Sequence, residues 1–94
     1  MLTSKDRQHL KNLAHAQKPV VLIGKKGFTD ALHTEIHSAL LAHQLIKIKF
    51  LEAAIDIQEE MIDKLCIKLE AELVESRGHI VTLYRLNPER PNLL

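Results

Sequence analysis

The chain is poor in the residues that most often announce a function. It has three aromatic residues, Phe28, Phe50 and Tyr84, and no tryptophan. Proteins that read single strands by stacking bases along a sheet use more of them, so readout by sheet aromatics is not expected. The lone cysteine, Cys66, rules out an internal disulfide and a cysteine-ligated zinc site. It falls in an apolar helical stripe, where a thiol is buried and inert. No apolar run approaches the roughly 20 residues of a membrane span. The start, Met1 to Asp6, lacks the apolar core of a secretory signal, so a cytosolic setting is expected. No Gly-Lys-Ser/Thr follows a four-residue spacer, and no third glycine completes a dinucleotide fingerprint. No serine sits in a nucleophile elbow, and the paired acids fall on a solvated helix face. The reading is therefore not an enzyme, with no cofactor.

At 94 residues the chain is one small domain, residues 1–86, followed by a tail at 87–94 marked by Pro88 and Pro91. Its net charge of +1 conceals a division. Residues 1–30 carry Lys5, Arg7, Lys11, Lys18, Lys25 and Lys26 against Asp6 and Asp30. Residues 51–76 carry eight acids against Lys64 and Lys68. Such asymmetry points to a basic face for a polyanion and an acidic face turned away from it.

Periodicity lays out the elements. Residues 3–17 read as a helix opened by a Thr3/Asp6 capping box, with Leu10, Leu13 and Ala14 in its apolar stripe. Pro19 breaks it, and the branched run 20–23 reads as a strand that is central or covered on both faces. Residues 30–43 form a second helix, capped by Thr29 with Asp30 in its first turn. Residues 45–51 alternate Ile46, Ile48 and Phe50 with Lys47 and Lys49, which is a strand with one face inward and one bearing lysine. That strand is either part of a basic surface or an edge protected by lysine. Residues 56–70 form a third helix, capped by Asp56 with Glu59. Residues 72–77 and 79–86 are strands joined by a turn at Arg77–Gly78. The order αβαβαββ predicts a two-layer α/β domain with a mixed four-stranded sheet and two right-handed crossovers.

Between the first strand and the second helix stands Gly24-Lys25-Lys26-Gly27. A strand, a Gly-rich loop and a helix N-terminus in that order make an element that faces phosphate. Glycine permits close backbone approach, free N–H groups point outward, and the helix dipole is positive there. Gly-x-x-Gly loops that clamp a nucleotide backbone are one known use of this pattern, although a plain turn has the same spelling. The six histidines do not make a metal site: His33 and His37 stand four apart, but no further ligand lies at a telling spacing. A wet basic surface would instead use histidine on phosphates or bases.

Taken together, Lys18-Pro19-Val20, the block Ile23-Gly24-Lys25-Lys26-Gly27-Phe28-Thr29, the strand Leu45 to Lys49, and Gly78 with Val81-Thr82-Leu83-Tyr84-Arg85 resemble the CRM domain, named for chloroplast RNA splicing and ribosome maturation. The likeness runs from about Leu2 to Leu86, and the length matches the stand-alone bacterial YhbY-like members. Lys26 stands where the family commonly has a glycine, and Phe28 where it commonly has leucine. The resemblance implies a fold similar to the C-terminal domain of bacterial translation initiation factor three. It implies RNA binding at the loop, through Gly24, Lys25 and Gly27, and association with precursors of the large ribosomal subunit. It implies no catalysis. Lys26 and Thr29 join the loop, and charge alone adds Lys5, Arg7, Lys11, Lys18, Lys47, Lys49 and Arg85. The expected state is a monomer bound to ribosomal RNA. The alternative from another class is a protein-interaction module of the translation machinery that uses the acidic third helix.

Overall fold

In the computed structural model, which describes residues 2–94, the elements follow the expected order. They are α1 (Ser4–Ala14), β1 (Val21–Ile23), α2 (Asp30–His43), β2 (Leu45–Phe50), a 3-10 segment (Glu52–Ile57), α3 (Gln58–Leu69), β3 (Glu72–Arg77) and β4 (Ile80–Tyr84). The sheet order is β1-β2-β4-β3. β1 runs parallel to β2, while β4 is antiparallel to both of its neighbours. β2 and β3 therefore run the same way, with β4 inserted between them. α2 makes the first crossover and α3 the second.

The local signals work as expected. The Thr3 hydroxyl accepts from the Asp6 N–H at 3.0 Å, and the Asp6 carboxylate accepts from the Thr3 N–H at 3.1 Å. Those two bonds hold the Asp6 carboxyl below its ordinary range. The Thr29 hydroxyl accepts from Leu32 N–H at 3.1 Å and so caps α2. Gly78 takes φ +59° at the head of the two-residue turn between β3 and β4, where glycine has no Cβ to clash.

Side-chain alternation sends the two faces of the sheet to different fates. Val21, Ile23, Ile46, Ile48, Phe50, Val81 and Leu83 all point to one face, where Ile36 and Leu40 of α2 and Met61, Ile62, Leu65 and Leu69 of α3 close over them. On the other face α1 lays Leu10 and Ala14 against Leu45, Val74 and Tyr84. A bulge between Leu73 and Glu75 shifts the register of β3 beside Val74. The two-layer arrangement thus holds at the β1 side, and α1 adds a third layer only over the end where β2 begins.

Several expectations need correction. β1 is neither central nor covered on both faces: it is the sheet edge, and Val20 and Leu22 are 51% and 57% exposed. The lysine-bearing β2 is an interior strand, not a protected edge. α1 stops at Ala14, and Leu13 turns to solvent at 41% exposure. Asp56 does not cap α3, because it lies inside the 3-10 segment; Ile57 occupies the cap position and makes no side-chain bond there.

The last eight residues form no element, yet they are held to the body. Gln44 ends α2 at φ +62° and is almost fully buried. Its side chain donates to the Pro91 carbonyl at 2.9 Å and accepts from the Asn87 N–H at 3.0 Å. Asn87 and Arg90 both donate to the Leu41 carbonyl, and a His9 ring nitrogen lies 2.7 Å from the Leu93 carbonyl.

Candidate nucleic-acid interface

The Gly24–Gly27 loop leaves the exposed end of β1 and turns directly into the capped N-terminus of α2. Gly27 N–H is taken by the Gly24 carbonyl at 3.0 Å, which closes the turn. Among the described residues, the N–H groups of Lys25 and Lys26 find no acceptor, and neither ammonium forms an ion pair. The two glycines have different duties. Gly27 adopts φ +67°, and a Cβ there would stand 3.3 Å from Ile57 Cδ1 and 3.4 Å from Met61 Sδ. The fold itself therefore demands glycine at this position. Gly24 has no positive φ, and its nearest neighbour to an added Cβ would be Leu51 Cδ1 at 3.9 Å. Lys26 sits in ordinary backbone, since the positive angle falls on Gly27. A side chain at position 26 therefore meets no positive-φ strain.

Beside the loop lies a cleft of about 270 Å³ lined by Leu22, Gly24, Lys25, Lys26, Gly27, Thr29 and Leu32. Among the described residues no acidic side chain lines it, and Lys25 and Lys26 are exposed, so the cradle is electropositive. Leu22 belongs both to this cleft and to the uncovered sheet face. Strand register places Leu22 beside Lys49, Lys49 beside Ile80, and Ile80 beside Arg77. The neighbouring row sets Lys47 beside Thr82 and Thr82 beside Glu75. Between this face and the end of α1 is a groove of about 120 Å³ whose walls include Lys11, His15, Lys47 and Arg77. Lys47 Nζ reaches the Gln17 carbonyl at 3.3 Å, and Lys11 approaches Glu75 at 3.8 Å. Both are half-exposed contacts of small energy, so these ammonium groups stay available to an anion.

The other residues expected from charge lie elsewhere. The Arg7 guanidinium donates to the Leu73 carbonyl and pins α1 to β3. Arg85 donates to the Leu69 carbonyl at 2.8 Å and to the His37 carbonyl at 3.3 Å, tying the end of α3 to α2. Thr29 spends its hydroxyl on the helix cap. Lys5 is exposed on α1 but stands about 9 Å along the helix from Lys11, away from the groove. Lys18 is exposed on the connection into β1, beside a cleft that it shares with Gln17, Val20 and His43. Arg77 and His15, which charge along the chain does not single out, also border the groove at the end of α1. The signal for Arg77 was the hairpin, whose pairing puts it in line with Lys49. Cys66 is only partly buried rather than sealed in the core as expected, but desolvation there still pushes its thiol up, with Asp63 adding to the effect, so the thiolate is disfavoured.

A small mixed sheet with two helices on one face, a third over one end of the other face, and an open cationic loop at its edge define a class of compact α/β domains whose exposed loop suits a polyanion. The chain belongs to the CRS1/YhbY (CRM) domain family, whose model matches residues 2–85. It is 39% identical over 88 residues to a Haemophilus influenzae protein named as RNA-binding, covering 94% of this chain and 89% of that one. It is 35% identical over 91 residues to a probable RNA-binding protein of Pseudomonas aeruginosa, covering 97% and 86%. A Staphylococcus aureus protein solved in solution, and put forward as RNA-binding, superposes with a TM-score of 0.81 at 32% identity, covering 97% of this chain and 95% of that one.

Proposed function

We propose that this protein is a non-catalytic RNA-binding factor that grips the sugar–phosphate backbone at Gly24–Gly27 and acts on precursors of the large ribosomal subunit. The observation that carries the reading is the loop itself. Its two lysines and free N–H groups converge on an open cleft without an internal acid to neutralise them. From there Lys49, Arg77 and Lys47 extend the positive surface across the uncovered sheet face, and Lys11 and His15 border its far end. Arg7, Arg85 and Thr29 hold the fold and are left outside the backbone contact made by the loop and the sheet face. Contacts of this kind fix backbone and shape more than base sequence. The ribosomal part of the proposal rests on membership of the CRM family, whose stand-alone bacterial members it resembles in length and in its motif blocks.

The test is Lys25→Glu combined with Lys26→Glu. Both side chains are exposed, so the variant should unfold at the wild-type temperature. Two charge-assisted contacts are lost and reversed, so RNA affinity should fall by about tenfold or more. The slope of log affinity against log salt should shrink by about 1.4 for a single-stranded segment. Cosedimentation with precursor large subunits should disappear with it. If the variant still travels with those particles, the loop is not the contact.

A further inference from the structure

We infer that the ring row Phe28–His33–His37 is a stacking face for unpaired bases of the RNA whose backbone the loop holds. The inference rests on the proposed function and adds the class of substrate: RNA with unpaired nucleotides rather than continuous duplex.

Phe28 follows Gly27 directly, and His33 and His37 follow on successive turns of α2. The Phe28 and His33 ring centroids are 5.8 Å apart and tilted by 52°. Those of His33 and His37 are 6.3 Å apart with planes only 9° from parallel. These spacings lie toward the far end of the range in which aromatic rings hold one another, so the rings contribute little to each other. Phe28 is partly buried and packs against the main core, His33 is partly buried and His37 is exposed, so the row leads from the edge of the core out to the surface, where the two histidines offer the accessible rings.

Cations bracket the row. Lys68 Nζ lies 5.4 Å from the Phe28 centroid, and Arg85 Nη2 lies 3.1 Å from His37 Nδ1. A guanidinium only donates, so His37 Nδ1 is the acceptor and its proton sits on Nε2. That bond fixes the ring plane of His37. Among the described residues neither histidine is paired with a carboxylate. Flat rings with positive ends, beginning at the residue after a phosphate cradle, match what unpaired bases offer: π faces at intervals along a negative backbone. A duplex hides those faces and would leave the row unused.

The experiment compares two fluorescent RNAs of equal length, one a hairpin with a large unpaired loop and one fully paired. Binding is measured for the wild type, for His33→Ala with His37→Ala, and for His33→Phe with His37→Phe. Circular dichroism confirms the fold of each. The wild type should prefer the looped RNA. The double alanine variant should lose about fivefold or more on the looped RNA, with its salt slope intact and its duplex binding unchanged. The phenylalanine pair should restore looped binding, because it keeps rings and discards titratable nitrogens. Equal losses on both RNAs, or no loss on either, would overturn the inference. So would failure of the phenylalanine pair to rescue. If Lys25→Glu with Lys26→Glu also leaves both RNAs bound, the loop reading has failed; if that variant loses both while the ring variants are silent, only the ring row has failed.

Discussion

The two faces of this sheet are built from the same strands and treated in opposite ways. One is sealed: every inward residue of β1, β2 and β4 on that side is aliphatic or Phe50, and α2 and α3 cover it. The other is covered by α1 only at one end, and the remainder shows Leu22, Lys49, Ile80 and Arg77 in a line. A strand alternates faces at every residue, so Lys49 and Phe50 are neighbours in the chain and yet belong to different problems. The sealed face holds the folding energy. The open face and the loop at its edge carry exposed charge that stability does not require. Substitutions one residue apart should therefore separate stability from binding.

The largest effect should come from breaking the sealed face. Phe50 is 1% exposed, and Phe50→Ala should cost about 3–5 kcal/mol in chemical denaturation through lost burial and the cavity left behind. RNA affinity measured where the variant remains folded should be close to wild type. A stable Phe50→Ala protein would mean that the core closes without that side chain.

A smaller and sharper contrast lies within the loop. Gly27→Ala forces a side chain into φ +67° and against Ile57, and should lower stability by about 1–2 kcal/mol. Gly24→Ala meets no such obstacle and should leave the denaturation midpoint at or slightly above wild type. If a phosphate backbone packs against the Gly24 main chain, as proposed, a methyl there would obstruct it, so RNA affinity should drop in both variants. If Gly24→Ala binds RNA normally, no backbone comes that close to residue 24.

The features legible in the sequence are those that depend on near neighbours. The Thr3/Asp6 box, the Thr29 cap, the Gly78 turn and the lysine alternation of β2 are each decided within a few residues, and all are present. The failures are of another kind. Val20 to Ile23 looked doubly buried because four branched apolar residues usually are, but hydrophobicity does not say what lies outside a face. Leu22 is exposed beside the proposed contact loop, where an apolar residue can serve a ligand instead of a core. Charge alone counts Arg7 and Arg85 as available, whereas they donate to carbonyls 66 and 16 residues distant, which local sequence does not announce. The spacing of His33 and His37 was visible, but their alignment with Phe28 depends on how the loop enters α2. Asp56 failed as a cap because the chain makes a 3-10 turn first, which no nearby residue announced.

The smallest expected effect tests whether the open face belongs to the contact surface at all. Lys49 is exposed on an interior strand, and Arg77 is exposed two strands away on the same row. Neither makes an ion pair among the described residues, so Lys49→Ala and Arg77→Ala should each move stability by less than about 0.5 kcal/mol. If a single-stranded backbone crosses the face, each substitution should lower the salt slope of RNA binding by about 0.7 and the two should add. Adding is the informative part. Two residues on one phosphate path lose their contacts independently, whereas a strand that stops at the loop would leave both slopes unchanged. A change at Lys49 alone would place the path along β1 and β2, and would confine the interface to the edge of the sheet nearest Gly24.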